Sequence, residues 1–246
     1  MDKLNIVRMN SQQLSYRTKM ALISIIRENG KDGKPFKLPN EDELAARLGI
    51  SRNVLRDALM SLEELGIVTR RRSKGTIASP AVANAVCRLD TEPELSGMIQ
   101  RAGYTPDVKN LFLGPNPDES VQEDGTVLKL LSKKVFYANG TPAALCIDRF
   151  AERDILTEEI FALQMEENSH TNVLENIYGT VYAYTMAHID AILPDAETAR
   201  HLDVTTDTPI LVLEDFGYNF DHELIVRSTM YFRPGILDLK FLRRNW

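Results

Sequence analysis

The chain has 246 residues, 43% of them hydrophobic and 26% charged, which is enough for two domains that each bury a core. No apolar run approaches the roughly eighteen residues a membrane helix needs. Cys87 and Cys146 are too far apart to suggest a metal site, and their scarcity suits a reducing, cytoplasmic setting. The net charge of −6 is unevenly spread: through Ser79 the balance is +6, and for the remainder it is −12. A basic head on an acidic body would approach nucleic acid head-first.

Residues 1–10 carry no strong pattern, and their polar, mixed-charge character is not that of a signal peptide. Ser11 to Glu28 predicts a helix, with Leu14, Ala21, Leu22, Ile25 and Ile26 along one side. Asn29 to Lys37, with two glycines and Pro35, predicts a loop. Asn40 is placed to cap a helix, with Glu43 three residues on to complete a capping box, and Gly49 to end it. Ser51 caps the next helix, in which Leu55, Ala58, Leu59, Leu62 and Leu65 form a stripe that must be buried. Arg52, Asn53, Arg56 and Asp57 remain on its outer face. Gly66 closes that helix, and Ile67 to Ile77 predicts a hairpin whose turn carries Arg70, Arg71, Arg72, Lys74 and Gly75. Two capped helices followed by a basic hairpin predict a winged helix-turn-helix. In such a unit the second helix reads base edges and the wing contacts phosphates.

The stretch LPNEDELAARLGISRNVLRDAL resembles the DNA-binding head of the GntR-type bacterial transcription regulators. By that resemblance Arg52 and Arg56 fall on positions that contact operator DNA. The candidate DNA-binding set is Asn40, Ser51, Arg52, Asn53 and Arg56, with Arg71, Arg72, Lys74 and Gly75 of the wing. Two residues depart from the family pattern: Asp42 stands where Arg is common, and Ser73 where Gly is usual.

Pro80 to Pro93 predicts a linker that is partly extended and packed, and Leu95 to Ala102 a short helix. Strands follow at Val108 to Leu113, Val127 to Tyr137 and Pro142 to Phe150, the last two joined by an Asn139-Gly140 hairpin turn, with a loop from Gly114 to Gly125. Helices are predicted at 157–166 and 172–178, a long strand over Thr180 to Ile192, and a helix from Asp195 to His201. A second hairpin pairs Ile210 to Asn219 with Leu224 to Phe232. The expected division is head 1–79, linker 80–94 and body 95–246, in an α+β chain.

The body resembles the UTRA domain of the HutC branch of GntR regulators, on the strand, NG turn and proline at Val135 to Pro142, on Leu202 with Pro209 to Leu213, and on the closing YFRPGILDLKFLRR. That implies a chorismate lyase-like antiparallel sheet that binds a small effector and dimerises. The candidate effector-binding residues are Lys134, Phe136, Asp148, Arg149, Tyr184 and Ser228. Alternation puts Ser132, Lys134 and Phe136 on one strand face, and Cys146 with Asp148 on one face of the next. Lys134 and Asp148 then either meet around one ligand or form a plain cross-strand salt bridge. Phe136 and Val226 stand where phosphosugar-binding relatives have Arg and Glu, which favours a less polar or differently charged effector. The four histidines have no metal-type spacing, and no metal or cofactor is expected.

The function implied is a ligand-controlled regulator, a repressor, bound as a homodimer to an inverted-repeat operator on double-stranded DNA. A lyase-like enzyme is the alternative, since the body's fold has a lyase relative. No catalytic set can be assembled from these spacings. An unregulated nucleoid-type binder would leave the large body unexplained.

Overall fold

The structure is a computed structural model that describes residues 11–90, 94–122, 125–151 and 183–243. It divides into two compact units. One runs through Thr91 and takes back the C-terminal residues from Lys240; the other spans Glu92 to Leu239.

The head begins with α1 (Ser11–Asn29). Then come β1 (Phe36–Lys37), α2 (Glu41–Leu48) and α3 (Arg52–Glu64). The wing is β2 (Val68–Arg71) and β3 (Gly75–Ala78), and α4 (Pro80–Ala83) follows. Both expected caps form: Asn40 Oδ1 accepts from the Glu43 amide at 2.9 Å, and Ser51 Oγ from the Val54 amide at 3.3 Å. Gly49 ends α2 at φ +65°, a conformation that would strain any residue with a Cβ. The buried stripe of α3 (Leu55, Ala58, Leu59, Leu62) packs with Leu22 and Ile26 of α1 and with Leu44, Ile67 and Val68 in one core.

Two local expectations are corrected in the head. Phe36 and Lys37, expected in a loop, add a third strand to the wing by pairing with Ala78 and Ile77. The start of the expected linker is instead helix α4. Its Pro80 sits so close to Gly30 that a Cβ there would lie 2.0 Å from the proline ring. A short parallel bridge joins Arg88 to Lys240, with Leu89 donating to the Lys240 carbonyl and the Lys240 amide to that of Cys87, both at 3.0 Å.

The body contains α5 (Leu95–Arg101), β4 (Pro106–Val121), β5 (Val127–Ala138) and β6 (Thr141–Ala151). It continues with β7 (Tyr184–Ile192), α6 (Ala196–Leu202), β8 (Ile210–Tyr218) and β9 (Leu224–Phe232). One sheet holds the six strands in the order β4-β5-β6-β9-β8-β7, every neighbouring pair antiparallel. Asn139 and Gly140 both adopt positive φ, as a tight primed hairpin turn requires. Strand β4 runs well past the expected Leu113, into the stretch that the sequence predicts as loop. Its register shifts between Pro115 and Ser120, beside the buried Asn116, whose amide donates to the Leu128 and Asp118 carbonyls. Helix α6 covers one face of the sheet through Leu202, against Val135, Leu145 and Ile210. The helices expected at 157–166 and 172–178, and His170 with them, lie outside the described residues.

Candidate functional site

The head presents its candidate contacts around the start of α3. Arg52 is the first residue of that helix and Arg56 lies one turn on, with about 65% and 60% of their side chains exposed. Neither points freely into solvent. The first turn of α2 supplies three consecutive acids, each held by a different arginine: Glu41 by Arg56 Nε at 2.8 Å, Asp42 by Arg52 Nε at 2.5 Å and Glu43 by Arg47 at 2.5 Å. The hydrogen bond it donates to Glu41, and then the charge of that carboxylate, hold the Arg56 guanidinium above even its ordinary high pKa. The aligned peptide dipoles of α2 favour acids in its first turn, so this cluster is locally stable as well as paired.

Asn53 is exposed on the same helix, while Ser51 and Asn40 direct their side-chain oxygens to backbone amides as caps. In the wing, Arg71, Arg72, Lys74 and Gly75 are exposed at the hairpin tip, and Gly75 opens β3 at φ +81°. Arg70 is set apart. Its Nε donates to Glu63 Oε2 at 2.7 Å, and its own amide to the other oxygen of the same carboxylate at 2.8 Å. It fastens the wing to α3 and is not available as a phosphate ligand in the way the tip cations are.

In the body, strand register decides which candidates share a face. Ser132 lies opposite Asp148, Asp148 opposite Ser228, and Ser228 opposite Asp215, so four polar side chains form a row across four strands. The adjacent row on that face is Lys134, Cys146, Met230 and Leu213. Phe136 and Phe150 flank these rows. Lys134, Phe136, Asp148 and Ser228 are thus brought together, all buried. Lys134 and Asp148 sit on a diagonal, not directly opposite. Lys134 is 6% exposed and makes no ion pair or hydrogen bond among the described residues. The Ser132 oxygen is buried without a hydrogen-bond partner among the described residues. The Cys146 thiol lies 3.2 Å from Asp148 Oδ1. Burial, reinforced by the Asp148 charge, pushes its pKa well above the ordinary thiol value and keeps it protonated.

Arg149 and Tyr184 are not part of this group. Alternation turns Arg149 to the other face, opposite Arg227, whose guanidinium is bound to Glu214 at 2.5 Å. Tyr184 opens the edge strand β7, stacks on Tyr218 with ring centroids 5.1 Å apart, and reaches His222 Nδ1 at 3.2 Å. Ser132, which is buried, and Asp215, which is partly buried, are members of that row that the candidate set omits. Strand alternation alone signals Ser132, whereas Asp215 needs the pairing register of β8 with β9. No group of metal-ligating residues occurs among the described residues, and no described helix is long and apolar enough to cross a membrane.

Comparison with known proteins agrees with both halves. Residues 35–77 match the model of the bacterial regulatory proteins of the gntR family, and residues 121–235 that of the UTRA domain. The chain is 27% identical over 208 residues to the HTH-type transcriptional regulator GgaR of Escherichia coli, covering 81% of this chain and 79% of that protein. It is 25% identical over 203 residues to the HTH-type transcriptional regulator Rv0792c of Mycobacterium tuberculosis, covering 80% and 74%. The crystal structure of the possible transcriptional regulator YydK from Bacillus subtilis superimposes with a TM-score of 0.71 at 16% identity, over 94% of this chain and 99% of that one. Such families bind DNA through the head and a small molecule through the UTRA body, and they are regulators, not enzymes. The chain therefore belongs to the GntR family of transcription regulators and, with its UTRA body, to the HutC branch.

Proposed function

We propose that the protein is a homodimeric repressor of an inverted-repeat operator, controlled by a small effector that binds the Lys134 face of the body sheet. Two heads would present two recognition helices to successive major-groove faces. Arg52 and Arg56, with Asn53, would read bases, and Arg71, Arg72 and Lys74 would hold phosphates.

The observation that carries the effector site is the Ser132 hydroxyl, buried without a hydrogen-bond partner among the described residues, on the same face as the buried Lys134. A buried polar group without a partner is costly, and a ligand that supplies one recovers that cost. Phe136, Phe150, Val226 and Met230 on the same face favour an effector with an apolar portion beside its anionic or acceptor group. A ligand shifts the heads only if it binds one arrangement better than the other.

A thermal-shift screen of the full chain against organic acids, amino acids, nucleosides and sugar phosphates tests this. A ligand at a hundredfold its dissociation constant adds about 2.7 kcal/mol to stability. Hits confined to anionic or acceptor-bearing compounds, lost in Lys134→Met and weakened in Ser132→Ala, are the expected result. A hit that both variants retain would move the site elsewhere.

A further inference from the structure

We propose that Asp42 is a specificity-determining residue of the head, which fixes the base pair that Arg52 reads. The proposal rests on the reading of Arg52 as a base-contacting residue, and the two can fail separately.

Arg52 is the first residue of α3, where the helix dipole disfavours a cation. Asp42, projecting from the first turn of the neighbouring α2, supplies the compensating charge through a 2.5 Å contact to Nε. A guanidinium is a rigid planar fork with five donors on separate edges. With the Asp42 carboxylate paired against the Nε side of the guanidinium, the end edge formed by the two Nη groups remains to donate. That end edge is the one that meets guanine O6 and N7 together in the major groove. An arginine without this tether can swing to a phosphate; held by Asp42, its fork keeps one direction.

The carboxylate also acts against the alternatives. An acid at this exposed position repels the DNA backbone, so the head gains little by sliding Arg52 off its base onto a phosphate. Where the base pair offers no pair of acceptors, the fork faces a partner it cannot satisfy. In the neighbouring Glu41–Arg56 pair Nε donates a hydrogen bond to the carboxylate at 2.8 Å, so both outer-face arginines of α3 are paired with acids of α2.

The test is selection of bound duplexes from a pool with randomised half-sites, using the full-length protein and sequencing what is retained. Wild type, D42A, D42N, R52A and D42A/R52A are compared. Wild type is expected to prefer guanine at one position per half-site, and R52A to lose that preference. D42A and D42N should reduce discrimination at that same base pair by at least about fivefold, the lower end of what one bidentate pair contributes, and leave other positions unchanged. D42N keeps the side-chain shape, which separates loss of charge from loss of fold. In the R52A background, D42A should change no preference. If D42A and D42N shift affinity uniformly and keep the wild-type preference, Asp42 is not a specificity determinant. If R52A itself keeps that preference, the assignment of Arg52 as a base reader fails first, and this proposal with it.

Discussion

Arg88 donates from Nη1 to the carbonyl of Leu65, 2.9 Å away, where the recognition helix ends. The last carbonyls of a helix have no partner within it, and a cation there also complements the dipole. Arg88 is 6% exposed, and its guanidinium pairs with Asp90 at 2.5 Å. Burial alone would raise the pKa of Asp90, but the hydrogen bond and charge of Arg88 outweigh it and hold the carboxyl below its ordinary 3.8. A carboxylate with a depressed folded-state pKa contributes stability above its unfolded value, and this is lost as pH falls through the folded value. Arg88→Ala should destabilise the head by roughly 1–3 kcal/mol near neutral pH. It should also flatten the loss of stability on acidification below pH 3.8. Urea unfolding of both proteins at neutral and acid pH checks both parts.

Recognition helix and wing should fail differently. Arg56→Ala should cost on the order of 1–3 kcal/mol on the preferred operator and relax its sequence preference. The double variant Arg71→Ala, Lys74→Ala should weaken binding to every sequence alike. Its slope of log affinity against log salt should become shallower by about 0.9 for each phosphate that is no longer neutralised. Titrations at several salt concentrations on operator and random DNA separate the two outcomes.

Lys134 sets ligand response against stability. Replacing it with Met keeps an unbranched side chain one atom shorter and removes a buried charge with no ion pair or hydrogen bond among the described residues. The unliganded Lys134→Met protein should melt higher than wild type and show no shift with the effector. A variant that melts lower would mean that the ammonium has a stabilising partner in the folded chain.

Asp195 supplies a control confined to the body. Its Oδ1 accepts from the Thr198 amide at 2.6 Å and caps α6. Asp195→Ala should cost about 1 kcal/mol of body stability. Operator affinity measured well below the melting temperature should not change.

Legibility in the sequence follows the range of the interactions. Asn40 and Ser51 declare their helices because a cap is settled within three residues. Asn139-Gly140 declares its hairpin because a primed turn needs two consecutive positive-φ residues. Phe36–Lys37 cannot be recognised as a strand, since two residues carry no period and the pairing with Ala78 is about forty residues distant. The continuation of β4 beyond Gly114 is hidden by its prolines and acids, which read as loop when the β5 partner is not known. In the candidate effector face, alternation finds Lys134 and Asp148, but only register shows that they are diagonal. The departure at Asp42 is visible in the sequence, whereas its partner on the next helix is not.

The bridge between Arg88 and Lys240 gives the head a discontinuous primary structure. In topological terms the body is an insertion whose two ends both return to one unit. A fragment cut at residue 91 would be severed from a backbone partner of its own, and co-expression with the C-terminal peptide, or a short linker to it, would restore the pairing. The entropy of closing such a long excursion grows only with the logarithm of its length. Evolution could therefore enlarge or exchange the inserted module at little cost to the fold that carries it.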